Sequence, residues 1–154
     1  DAEGAEVARA ASQWLVLSLE TRRAVWPDEA FGESFREPGE RVFEHGFTKL
    51  PPPGELEEDR RLETRYQDLD KNVHVTSKSY LAWAVEAVPL DVWQSSRLSH
   101  LEVHFLNEGF HPSTIFSRAK RIADKGGART YLHSIVRESD QKELARLETR
   151  WVPR

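Results

Sequence analysis

Asp70, Asn72 and His74 stand at alternate positions in the stretch DLDKNVHV, Asp68 to Val75, just ahead of an apolar run, YLAWAVEAV. A carboxylate can serve as nucleophile or general base, an amide as a fixed hydrogen-bond donor, and an imidazole as donor or proton shuttle. Alternate residues of an extended loop point the same way, so this spacing turns the three toward one small volume. The apolar run reads as a helix. Its N-terminus offers unpaired N–H groups and the positive end of a dipole, a fit for an oxyanion or a thioester carbonyl. The same residues have a plainer use. Asp70 and Asn72 also suit Asx turns that cap a helix, with His74 a satisfied half-buried side chain. Residue chemistry alone leaves both readings open.

Two metal readings fall on spacing. Asp68, Asp70 and Asn72 match positions 1, 3 and 5 of a calcium loop, but Val73 and Ser79 stand where that loop needs its Gly and its bidentate Glu. A zinc site would have to join His74 and Asp70 to a distant His100, His104, His111 or His133, and no helical His-Glu-x-x-His pair exists. Neither a metal nor an organic cofactor is expected.

The helix that would hold the loop runs from about Thr76 to Val88. Thr76 or Ser77 caps its first turn and Pro89 stops it. Apolar residues on nearly every face predict burial all round. Before the loop, RLETRY alternates like a strand. After the helix, a short turn, LDVWQSS, leads to four strand-like stretches: LSHLEVHFLNE, STIFSRAKRIA, ARTYLHSIVRE and KELARLETRW. DKGG and ESDQ are hairpin signals between the later strands. Strand, helix, then four antiparallel strands predict an α+β fold in which a sheet curls around one long buried helix. Trp93, Phe105, Phe110 and Phe116 read as core, with an acyl tunnel wall as the alternative. His111 reads as an exposed turn residue, with a second proton carrier as the alternative.

Composition narrows the classes. The 154 residues are 38% hydrophobic and 31% charged, ordinary for a globular domain, and no apolar stretch reaches the roughly 20 residues that cross a bilayer. The absence of cysteine removes disulfides, thiolate metal sites and a cysteine nucleophile. A net charge of −4 disfavours nucleic acid. Neither a membrane nor a nucleic-acid partner is expected. Arg118, Lys120, Arg121 and Lys125 cluster late in the chain, as a solvated strand face or as a docking patch for an acidic partner. DAEGAEVARA lacks the basic head and apolar middle of a signal peptide, and the expected compartment is the cytoplasm.

EVARAASQW, Glu6 to Trp14, is echoed by ELARLETRW, Glu143 to Trp151. A true repeat makes residues 1–26 the last strand of an earlier unit; chance likeness between strands of similar composition is the alternative. The Pro-, Gly- and Glu-rich stretch that follows reads as a linker over 27–60, ending in the stiff Pro51 to Pro53. Residues 61–154 are then the principal domain.

RLETRYQDLDKNVHVTSKSYLAWAVEAVP resembles the start of the second hot-dog domain of the acyl-acyl-carrier-protein thioesterases, with its Asp-Leu-Asp-x-Asn-x-His-Val-Asn-Asn motif. Tyr80, Trp83, Glu86 and Pro89 match the helix that follows in that family. HFLNEGFHPSTIFS is similar to the family's strand carrying a Glu, here Glu108, followed by Cys, here Gly109. The start of the chain, GAEVARAASQWLVLSLETRRAV, is similar to the last strand of the first hot-dog domain. The resemblance implies a hot-dog fold and hydrolysis of a fatty acyl thioester on acyl carrier protein, with Asp70, Asn72, His74 and Glu108 catalytic. It implies substrate contacts at Thr76, Ser77, Ser79 and Trp83, with backbone N–H groups near Thr76 to Ser79 holding the oxyanion. A homodimer through hot-dog sheet edges is a further expectation. Thr76-Ser77 departs from Asn-Asn, and Gly109 excludes a cysteine nucleophile. An acyl-CoA thioesterase of the related single-domain family and a non-catalytic acyl-binding module are the rival readings.

Overall fold

Alternation along 96–153 sends every second side chain to one face, and a sheet with one such face must cover it. The computed structural model describes residues 5–21, 23–36, 39, 43, 46–56 and 58–154. They belong to two compact units that divide between Thr48 and Lys49.

In the first unit, Val16–Leu17 (β1) and Ala24–Val25 (β2) pair antiparallel, Val16 opposite Val25. Pro27–Phe31 (α1) opens on proline at its first position, where a missing N–H costs nothing, and a 3-10 turn, Gly32–Ser34, follows. Glu6 to Trp14 carries no regular secondary structure, and Trp14, Leu19 and Trp26 are exposed. Parts of the segments read as remnant strand and linker lie outside the described residues.

The second unit contains Glu58–Glu63 (β3), Ser77–Glu86 (α2), Leu90–Ser95 (α3), Ser96–Phe105 (β4), Thr114–Lys125 (β5), Ala128–Arg137 (β6) and Glu143–Pro153 (β7). The strands form one antiparallel sheet in the order β3-β5-β6-β7-β4. The β5–β6 hairpin closes through Gly126 and Gly127, both at positive φ (58° and 79°), as a tight primed turn demands. β3 starts at Glu58 rather than Arg61, and Tyr66–Asp68 forms a 3-10 turn instead of continuing the strand.

Ile115, Ser117 and Ala119 of β5 and Ala145, Leu147, Thr149 and Trp151 of β7 are buried at alternate positions, whereas β6 is buried continuously from Thr130 to Val136. Tyr80, Trp83 and Ala84 of α2 share a cluster with Ile115, Ile135 and Leu147, while Ala87 and Val88 join Ala119, Tyr131 and Trp151. Full burial of a side chain such as Ile135 or Leu147 contributes about 1.5–3 kcal/mol. The Ser117 hydroxyl donates to the Trp83 carbonyl at 2.6 Å, fastening the middle of the helix to β5.

Two sequence expectations are corrected. α2 has 10 residues and is not buried all round: Ala82 and Glu86 are exposed, with Leu81 and Val85 half covered. The sheet of the second unit covers one side of the helix only. The four aromatic residues read as core are not core either. Trp93, Phe105 and Phe110 are exposed, and Phe116 lies under the Arg118 guanidinium, 4.8 Å away. Phe105 ends the edge strand β4, so correct alternation still leaves it without a covering layer.

Candidate active site

Asp68 organises the loop. Its buried carboxylate accepts the Arg65 N–H at 2.8 Å and the Ser79 hydroxyl at 3.2 Å, and its carbonyl accepts the Thr76 N–H at 2.8 Å. The 3-10 turn before the motif is thereby locked to the first turn of α2. Thr76 takes the helix cap position with extended φ and ψ, but its hydroxyl makes no capping bond and pairs with the Ser79 hydroxyl at 3.1 Å.

Between the bridged residues Leu69 and Val75 the chain makes a tight turn rather than an extended loop. Asp70 N–H donates to the His74 carbonyl at 2.8 Å, and Val73 N–H to the Asp70 carbonyl at 3.0 Å. Val73 sits at φ 65°, a left-handed conformation that Gly or Asn takes readily and a β-branched residue takes at a cost. Strict alternation from Asp70 to His74 is thus broken at Val73. What joins the residues instead is the Asp70 side chain: Oδ1 accepts the N–H of Asn72 at 2.8 Å and of His74 at 3.0 Å. The Asx turn is real, and it leaves Oδ2 without a hydrogen bond from the described residues. Asp70 and Asn72 are exposed and His74 is half-buried.

Glu108 arrives from a separate part of the chain. Asn107 is tied to the start of β7, its N–H donating to the Leu144 carbonyl at 3.1 Å and its side chain to the Glu143 carbonyl at 2.7 Å. Val75 N–H donates to the Gly109 carbonyl at 2.9 Å, His74 bridges Phe110, and their rings meet edge to face at 5.2 Å. The exposed Glu108 therefore lies on the segment after β4, whose backbone runs beside the loop of Asp70, Asn72 and His74.

Of the first-turn amides, Thr76 N–H is taken by Asp68 and Ser79 N–H by the Thr76 carbonyl at 3.0 Å. Ser77 and Lys78 remain as the amides available to an oxyanion. Ser77 is exposed and Thr76 half-buried, whereas Ser79 and Trp83 are buried behind the loop and face the core. His111 is half-buried rather than an exposed turn residue: Nδ1 lies 3.0 Å from the Thr64 carbonyl, and the ring packs on Tyr66. The late basic residues do not form one free patch. Arg118 pairs with Asp59 and Arg121 with Asp124, and the Lys125 side chain lies outside what is described. Tyr80 was read from sequence only as a helix match, yet its hydroxyl meets Gly109 beside Glu108. An aromatic residue inside an apolar helix carries no sequence signal that its polar end reaches a functional segment.

Comparison with known proteins identifies the family and the fold. The family model described as the acyl-ACP thioesterase C-terminal domain matches residues 53–153. A palmitoyl-acyl carrier protein thioesterase, chloroplastic, from Cuphea hookeriana is 30% identical over 98% of this chain, which spans 38% of that protein. Among solved structures, a 12:0-ACP thioesterase from Umbellularia californica superposes with a TM-score of 0.69 at 24% identity, over 90% of this chain and 53% of that one. A putative oleoyl thioesterase from Lactobacillus plantarum gives 0.66 at 24%, over 89% and 54%. These likenesses establish the α+β hot-dog fold. The chain spans well under half of the length of the Cuphea relative. It belongs to the acyl-ACP thioesterase family.

Proposed function

We propose that the protein hydrolyses a fatty acyl thioester carried on acyl carrier protein, releasing free fatty acid. The observation that carries this reading is the pairing of the Glu108 segment with the motif loop, through Val75 N–H on the Gly109 carbonyl and the bridge of His74 to Phe110. It supports the reading by laying the backbone segment that carries Glu108 beside the loop of Asp70, Asn72 and His74, ahead of α2, in a chain of this family.

Asp70 acts through Oδ2, as nucleophile or as base toward water, while Oδ1 is spent on the turn. Asn72 and His74 orient the thioester, and the Ser77 and Lys78 amides receive the charge that develops on its oxygen. If Asp70 attacks, its oxygen bonds the acyl carbon and Glu108 takes a proton from the water that then cleaves the resulting anhydride; if Asp70 is the base, it takes that proton, water adds to the acyl carbon directly and Glu108 orients the water. The carbon–sulfur bond breaks, and the departing thiolate takes a proton back to leave as thiol. Thr76 and Ser77 border the reacting groups, and Ser79 and Trp83 support them from behind. The exposed edge of β4 is proposed to pair with a second hot-dog unit, residues 1–26 to belong to such a unit, and the cytoplasm to be the compartment.

The test is hydrolysis of acyl carrier protein and CoA thioesters by the full-length protein, Asp70→Asn and Glu108→Gln. Loss of about 10²–10⁴-fold in kcat is expected for Asp70→Asn, the range for a positioned acid–base group. Unchanged hydrolysis in both variants would refute the catalytic assignment, and turnover of CoA esters alone would refute the carrier-protein assignment.

A further inference from the structure

β6 is buried on both of its faces. Tyr131 and Ile135 turn toward α2, and Thr130, Leu132, Ser134 and Val136 turn the other way, yet Leu132 and Val136 are only 2% and 6% exposed. Neither belongs to the clusters built on α2, so another part of the chain must cover them. Register names their surroundings on this outer face. Arg118, Ser134, Arg146 and His104 form one row across β5, β6, β7 and β4, and Lys120, Leu132 and Glu148 form the next across β5, β6 and β7. Leu50, well before the sheet in sequence, is anchored on the first row. Its side chain is buried, its N–H donates to His104 Nδ1 at 3.4 Å, and its carbonyl accepts from Arg146 Nη1 at 2.8 Å. Arg146 is held by Glu143, whose carboxylate also accepts the Ser134 hydroxyl at 2.8 Å.

Pro51 to Pro53 follow, and successive prolines favour the stiff polyproline helix, which repeats every three residues. Pro53, three residues after Leu50, is half-buried, while Pro51 and Pro52 are exposed. Gly54, at φ 66°, then turns the chain beside β5, where a Cβ built on it would stand 3.9 Å from Lys120 Nζ. From Leu50 to Gly54 such a segment extends about 12 Å, at about 3.1 Å per residue. From β7 to β5 is two strand spacings, about 10 Å. The segment therefore has the length to cross β6, and its two ends stand on opposite sides of that strand. We infer that Leu50–Gly54 is a strap laid across the outer face of β6, and that it closes the apolar strip of Leu132 and Val136 to a second copy of this chain. Uncovered, such a strip on an otherwise charged face is a surface for self-association.

The experiment is sedimentation velocity of the full-length protein across a concentration series, comparing wild type, Leu50→Asp, and Leu50→Asp combined with Leu132→Lys. Leu50→Asp is expected to tighten self-association about tenfold or more, the equivalent of burying one leucine side chain. Adding Leu132→Lys should return the profile to that of wild type. A further variant, Pro51→Gly with Pro52→Gly, changes two exposed residues and loosens the strap without touching the sheet. It should shift the profile in the same direction by less, and it carries the test if Leu50→Asp does not fold. A folded Leu50→Asp, or in its place the proline variant, that sediments as wild type overturns the inference: the charged stems of Lys120, Arg146 and Glu148 then shelter the strip unaided. Association that persists with Leu132→Lys overturns it too, because another surface is then responsible. So does a Leu50 amide that exchanges freely in the wild type by NMR, since the strap is then not seated.

Discussion

Acidification should loosen the core through His133. Its ring is fully buried on β6, with Nε2 2.7 Å from the Thr149 hydroxyl, which also accepts the Trp151 indole N–H at 3.0 Å. Nδ1 has no hydrogen-bond partner among the described residues. A second ring proton would therefore enter a site with no acceptor, and burial pushes the pKa from 6.5 down to about 4. The folded pKa lies below the unfolded one, so between these values the unfolded chain holds a proton that the native chain lacks. The stability contributed by neutral His133 is complete above pH 6.5, falls as pH drops toward 4, and is lost below that. A shift of this size corresponds to about 3 kcal/mol, at about 1.4 kcal/mol per pH unit, against a total near 5–15 kcal/mol for a typical domain. In a chain of this length that is about 6–12 °C in Tm. Urea unfolding across pH 4–7 should show wild type losing this stability relative to His133→Gln, which cannot titrate. Parallel profiles for the two proteins, or a His133 ring that titrates above pH 6 by NMR, would refute the reasoning.

Val73→Asn should raise stability by about 1 kcal/mol, read as a rise in Tm, because Asn accepts the left-handed backbone at φ 65° and the exposed valine side chain leaves little packing behind. A fall in Tm would mean that the turn is not strained. Asp68→Ala should cost about 2–4 kcal/mol in chemical denaturation, since it frees the Arg65 N–H and the buried Ser79 hydroxyl together; a loss under 1 kcal/mol would show that the loop does not depend on its carboxylate.

The four late strands were legible because each alternates and ends at a turn signal: β5 and β6 meet at Gly126 and Gly127, and β6 and β7 at a turn with Gln141 at φ 55°. α2 was legible from its apolar run and from Pro89, which opens α3. What the pattern could not give is which faces find a cover. Ala82 stayed exposed and Phe105 lies at the sheet margin because covering them needs a layer that the second unit does not contain.

The loop divides in the same way. Residue types and spacing by themselves made Asp70, Asn72 and His74 candidates for either chemistry or an Asx turn, and the absence of cysteine removed any thiol from the chain; Glu108 joined them only through the resemblance to the thioesterase family. Only the tertiary structure decided that Asp70 divides its two oxygens between turn and solvent, that Ser79 and Trp83 stand behind the site, and that the Tyr80 hydroxyl reaches Gly109. The reason is physical. Propensity and periodicity act over neighbouring residues, whereas a contact between α2 and the Glu108 segment exists only after the sheet has brought the two together.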